Sequence, residues 1–174
     1  MIDETRDALA PLRGLPLWAA GRAATMLWLQ LGEHVSAPTE RDPDRVTGEY
    51  ALHMQCPWRI SGRNGIVTGS ADMYSPADPE LSAWDFDENR PGKAIADREL
   101  RRWIDSHAHR PLAVIGIDVD RCGGFVLKLS EGFAFEVFPD RVADDLAAGE
   151  YWRLLQPSRE TPHFVMRGAR PGSE

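Results

Sequence analysis

The longest strict alternation of apolar and polar positions runs over residues 49–60, Glu-Tyr-Ala-Leu-His-Met-Gln-Cys-Pro-Trp-Arg-Ile. Leu52, Met54, Cys56, Trp58 and Ile60 hold one parity, and His53, Gln55, Pro57 and Arg59 hold the other. Successive side chains of a strand point to opposite faces, so the segment predicts one half-buried strand with a core side and a polar side. Three later runs repeat the period of two: Ala113, Ile115, Ile117 and Val119; Phe125, Leu127 and Leu129; Phe133, Phe135 and Val137. The connections at 120–124 and 130–132 are short and carry glycine, which predicts an antiparallel meander.

Ser61-Gly62-Arg63-Asn64-Gly65 is a tight-turn signal, and Ile66-Val67-Thr68-Gly69 resumes extended character, so a β-hairpin is expected there. Leu27, Leu29 and Leu31 alternate with Met26, Trp28 and Gln30 and predict a strand over 25–31, whereas the alanines around Arg22 favour helix before it. Two short strands are expected at 151–155 and 163–167, separated by Pro157 and Pro162. One segment carries helical spacing: Ala96, Leu100, Trp103, Ile104 and His107 recur every three or four residues and predict a helix over 94–107 with one face on a sheet. Residues 33–47 and 75–93, rich in proline and charge, read as loops, the second pinned to the body by Trp84 and Phe86. Residues 141–149 suit a loop or a single helical turn.

These elements predict an α+β fold, predominantly antiparallel β, with about seven to nine short strands and one main helix. A sandwich and a curled, partly closed sheet both satisfy the pattern. Residues 1–14 form an N-terminal arm, helical or loose, and 15–168 form a single domain. Residues 169–174 are expected to be a flexible tail.

Composition narrows the functional classes. The chain has 174 residues, 43% hydrophobic, enough for one sizeable core. With 27 acidic against 20 basic residues the net charge is -7, and no run of Lys and Arg stands against it. Nucleic acid and anionic membranes are therefore not expected partners. Arg101 and Arg102 are the densest basic pair, on a helix where a solvated face is the expected role. The most apolar window, 15–31, is interrupted by Gly21, Arg22 and Gln30, so no membrane span is expected. Two cysteines and a start without signal-peptide character point to a reducing cytoplasm.

Metal and nucleophile chemistry fare poorly on the same reasoning. Alternation puts His53 and Cys56 on opposite faces, and His107 and His109 sit where a helix end needs capping, so no metal and no cofactor are expected. Cys56 lies on the apolar parity, and Cys122 sits in a glycine-rich turn with no base beside it. Asp85-Phe-Asp87-Glu-Asn89 opens like an EF-hand loop, yet Arg90 and Ala96 stand where that loop requires Gly and a bidentate acid. Phosphate-binding glycine loops and Gly-x-Ser-x-Gly elbows are missing from the sequence.

Four blocks, Ala-Leu-His-Met-Gln-Cys-Pro-Trp-Arg-Ile at 51–60, Gly-Ser-Ala-Asp-Met-Tyr at 69–74, Glu-Tyr-Trp-Arg-Leu at 150–154 and His-Phe-Val at 163–165, occur together in order. In that combination the chain resembles a family of small uncharacterised bacterial proteins, over about residues 15–168. The resemblance implies a bacterial, cytoplasmic, single-domain protein. It carries over no activity and no functional residue.

What remains is the polar side of the sheet. His53, Gln55, Arg59, Glu136 and Arg153 are the candidate binding face, with Arg59 and Arg153 each beside a tryptophan. Such a face is either simply wet, a set of internal Arg–carboxylate pairs, or a surface that holds an acidic or aromatic group. The leading expectation is a non-enzymatic interaction domain that meets a basic protein partner through its acidic surface, as an immunity protein masks a nuclease. The competing expectation is a small-molecule binder or hydrolytic enzyme with His53 as acid or base and Arg59 as anion clamp. A third is a homodimer whose tryptophans lie between subunits.

Overall fold

A computed structural model describes residues 2–82, 85–141 and 149–168. Ten strands pair into one antiparallel sheet: β1 Pro16–Ala23, β2 Met26–Ser36, β3 Val46–Met54, β4 Trp58–Gly62, β5 Gly65–Gly69, β6 Leu112–Val119, β7 Phe125–Leu129, β8 Ala134–Val137, β9 Glu150–Leu155 and β10 Phe164–Arg167. The spatial order is β10-β9-β3-β2-β1-β6-β7-β8-β4-β5. With helices α1 Ile2–Leu9 and α2 Ile95–Ser106, this is the expected α+β, antiparallel β-rich class, built as an open sheet.

The sheet is folded over on itself. Its two halves are joined between β1 and β6 by a ladder of only two residue pairs, Pro16 with Ala113 and Leu17 with Leu112. On the far side, residues 55–57 carry the chain straight from β3, third in the sheet, to β4, ninth. A connection that short spans no more than roughly 14 Å. The halves must therefore face each other, and their inward side chains form the core. Trp152 of β9 packs edge-on against Phe125 of β7, ring centroids 4.8 Å apart, and its indole Nε1–H donates to Gly123 O at 2.7 Å. Trp58, Phe135, Leu29, Leu52, Met54 and Ile60 close the space around them, all essentially inaccessible to water.

The alternation over 49–60 is thus not one strand, as expected, but two strands in opposite layers. Its apolar parity holds across the crossing, since Leu52, Met54, Cys56, Trp58 and Ile60 are all buried. Pro57 has no N–H to give to a ladder, and its carbonyl accepts instead from Phe138 N at 3.0 Å. The hairpin β4–β5 closes with Arg63 and Asn64 between paired Gly62 and Gly65, and Gly65 takes φ +119°, open to glycine. The meander of β6, β7 and β8 and the two late strands form where the pattern places them, but a register shift between Val114 and Gly116 breaks the expected parity of β6, so that Leu112 and Val114 are buried and Ile115 is exposed.

Two further differences have local causes, and the N-terminal arm, expected as helical or loose, takes the helical form. Residues 16–23 are a strand, not a helix, because β1 is held between β2 and β6 and pairing overrides alanine propensity. β2 runs on to Ser36 and β3 starts at Val46, so only 37–45 of the expected loop lacks strand structure. The N-terminal arm is a helix docked on the body: Leu9 and Leu12 are fully buried, and Gly14 N donates to Val114 O at 2.8 Å. Helix α2 buries Ala96, Leu100 and Trp103, spaced four and three apart, and packs on β1 and β5. The expectations for Trp84, for the loop or turn at 142–148 and for the tail at 169–174 lie outside the described residues.

Candidate functional site

The register sets one cross-strand row on the outer face of the first half-sheet: Val165, Arg153, His53, Trp28 and Gly21, from β10 to β1. Trp28 shares the parity of Met26 and Gln30, opposite to the buried Leu27, Leu29 and Leu31, so its large ring is turned outward. It lies flat over Gly21, where an added Cβ would stand 2.4 Å from the indole, and only glycine leaves that space. A bulge between Leu17 and Ala19 swings Trp18 onto the same face. There its Nε1–H donates to Gly32 O at 3.1 Å and its ring packs against His34 with centroids 4.0 Å apart.

Between these two indoles the face is concave. A groove of about 350 Å³ is floored by Gln30 and His53, walled by Trp18, Trp28 and Met26, and rimmed by Arg45 and Thr47. Gln30 Oε1 accepts Gly48 N–H at 2.7 Å, which fixes the amide and leaves its NH2 end without a partner among the described residues. Thr47 is almost fully buried, and its hydroxyl, itself closed off from the groove, has no hydrogen-bond partner among the described residues. Unsatisfied buried hydroxyls are uncommon and each costs about 1–3 kcal/mol. Burial lowers the His53 pKa, Arg153 and His163 push it the same way, and Glu150 opposes them, so the imidazole is neutral near pH 7.

The five residues singled out by the sequence fall into two groups. His53 and Arg153 are directly opposite on β3 and β9. Gln55 follows β3 with an exposed side chain, its backbone N–H donating to Tyr151 O at 2.8 Å. Arg59 and Glu136 are directly opposite on β4 and β8, in the other layer. Glu136 lines a different hollow, beside Phe138, and the structure does not bring it or Arg59 to His53. The shared parity of His53 and Arg59 is lost because the chain changes layer between them.

Both arginines are already engaged. Arg59 forks onto Glu136, its Nε 3.1 Å from Oε1, and Ser61 Oγ donates to the same oxygen at 3.0 Å. The Arg59 hydrogen bonds outweigh burial and hold the Glu136 carboxyl below its ordinary range. Arg153 forks onto Glu150, three residues away. Lys128 pairs with Asp118 at 2.6 Å. Burial pushes the Cys56 thiol up to about 12, so it is no thiolate at neutral pH, and Cys122 is exposed in the turn before β7. Among the described residues no group of His, Cys, Asp and Glu is arranged to hold a metal ion, and no helix is long and apolar enough to cross a membrane.

Trp18, Trp28, Arg45 and Thr47 were not candidates from the sequence. The outward parity of Trp28 was legible beside Leu27, Leu29 and Leu31. Thr47 and Arg45 fall in a stretch that reads as loop, and the bulge that turns Trp18 outward leaves no sequence signature. No protein-family model, no curated protein and no solved structure matches the chain.

Proposed function

We propose that the protein is a non-catalytic binding domain whose ligand is a small molecule held in the groove between Trp18 and Trp28. The reading rests above all on the groove itself, a concave surface lined by two outward-facing indoles with the half-engaged Gln30 amide in its floor. Small-ligand sites pair such a surface with a few directed polar groups, and about 350 Å³ lies at the small end of their range. His53 sits in the floor with no nucleophile hydrogen-bonded to it among the described residues, and the carboxylate that acts on it electrostatically, Glu150, is held by Arg153, which favours binding over acid–base chemistry. A fragment library followed by NMR on the indole N–H signals should give hits that move Trp18 and Trp28 together. Trp28→Ala, on the solvent face, should weaken them roughly tenfold while the fold survives. Hits that cluster on other signals, or that ignore Trp28→Ala, would overturn the reading.

A second reading, an interaction domain for a basic protein, is favoured by the way the acidic loop is held. Arg98 Nη1 donates to Ala77 O and Arg22 Nη1 to Glu88 O, both at 2.9 Å, and Pro76 bridges Ala94. Asp78, Glu80, Asp85 and Asp87 are exposed along that tethered path. An arginine-rich peptide should then bind, lose affinity steeply with added salt, and lose it again when the four acids become amides. Binding that is indifferent to both changes would remove this reading.

A further inference from the structure

We infer that the ligand of this groove is a planar aromatic carboxylate, its ring against Trp18 and Trp28 and its anionic end toward Arg45 and Gln30. The inference rests on the groove being a binding site and adds the class of molecule it takes. The chain as a whole is acidic, but no carboxylate lines the groove. Its polar lining includes Gln30, whose NH2 end has no partner among the described residues, Arg45 at the rim and the neutral His53 in the floor.

Arg45 is one of several arginines without an ion pair among the described residues, Arg41, Arg63, Arg90, Arg101, Arg110 and Arg121 being others, and it lines the groove. Arg6, Arg22, Arg59, Arg98, Arg102 and Arg153 each hold a carboxylate, whereas Arg45, exposed at the rim, has no ion-pair partner among the described residues. A guanidinium beside a recess that no carboxylate lines suits a carboxylate ligand, which can accept its two parallel N–H groups. The aromatic half of the ligand follows from how the indoles are fixed. Trp18 is tied by its Nε1–H to Gly32 O and backed by His34, and Trp28 lies down on Gly21. Two rings already ordered in the free protein lose little freedom when a flat ligand stacks on them. The volume admits one ring or a fused pair and leaves little for a flexible chain.

Three probes separate the parts of this inference: 2-naphthoate, its neutral amide 2-naphthamide, and cyclohexanecarboxylate, each titrated by calorimetry and by the indole N–H signals. Naphthoate should bind about tenfold or more tighter than the amide, the difference a charged hydrogen-bond pair makes. It should also exceed cyclohexanecarboxylate. Arg45→Ala, at an exposed position, should erase the preference for naphthoate over the amide, and Arg45→Lys should restore part of it. Equal binding of naphthoate and amide, or a preference that survives Arg45→Ala, would overturn the carboxylate class while leaving the groove as a site. Failure of every probe to move Trp18 and Trp28 would overturn both.

Discussion

Replacing Arg22 with methionine is expected to destabilise the fold by about 3–5 kcal/mol, the usual consequence of leaving a buried charge without its partner. The Arg22 side chain is inaccessible to water and that of Asp97 nearly so. The pair is bidentate, Nε to Oδ1 and Nη2 to Oδ2, both at 2.7 Å, and Arg22 Nη1 also reaches Ala24 O and Glu88 O at 2.9 Å. Asp97 in turn accepts the Ala94 N–H at 3.0 Å and so caps the start of α2. One guanidinium therefore ties β1, the 75–93 loop and the helix together, where no water can replace it. Desalting both positions tests the cause: Arg22→Met/Asp97→Asn should recover a good part of the loss, because no lone charge is left inside. Urea unfolding reads both variants, with a midpoint drop of roughly 2 M expected for the single one. A drop that is small, or a double variant no better than the single, would contradict the argument.

The same pair gives stability a pH dependence of known sign. Burial by itself raises the Asp97 pKa, but the hydrogen bonds from Arg22 and from the Ala94 and Gly92 backbone outweigh it, and the net shift is downward. A carboxyl whose folded pKa is lowered contributes stability that is complete above its unfolded value, here 3.8, and that fades as pH falls through the folded value. Glu136 shifts the same way, led by its Arg59 hydrogen bonds. His53, lowered mainly by burial, also favours the folded state at higher pH, its contribution fading below the ordinary 6.5. All three push in one direction, so the urea midpoint should fall monotonically on acidification. Its slope below pH 4 should be shallower in Arg22→Met/Asp97→Asn.

What could be read from the chain and what could not divides along a physical line. Period-two runs with short glycine turns mark the meander and the β4–β5 hairpin because those contacts are local and the turn sets the register. Helix α2 is marked by Ala96, Leu100 and Trp103. The crossing at 55–57 is invisible because its apolar parity continues unbroken into the other layer, and nothing local says the hydrogen-bonding partners change. Bulges hide the rest. The one between Leu17 and Ala19 shifts parity, so Arg22 reads as an interruption of an apolar run when it is in fact an inward side chain with a buried partner 75 residues away. The same shift conceals Trp18, and with it half of the groove.

Trp152→Ala should be nearly as damaging as Arg22→Met, about 3–5 kcal/mol, since a large buried ring is lost from a site that cannot collapse. Trp152 is fully buried, with Phe125 on one side and Phe164, 5.4 Å away between centroids, on the other. It is therefore a contact between layers: β9, second in the sheet order, and β7, seventh, touch through it because the halves face each other. Trp152→Phe keeps a ring but leaves Gly123 O without its 2.7 Å donor, and should cost only about 1–3 kcal/mol. The damage should also be uneven. Among the described residues β10 pairs only with β9, so hydrogen exchange in Trp152→Ala should accelerate first in β9 and β10. The β4–β5 hairpin, held by β8 and by α2, should keep most of its protection. Uniform acceleration across both halves would mean that the layers unfold as one unit and that Trp152 is not a local seam between them.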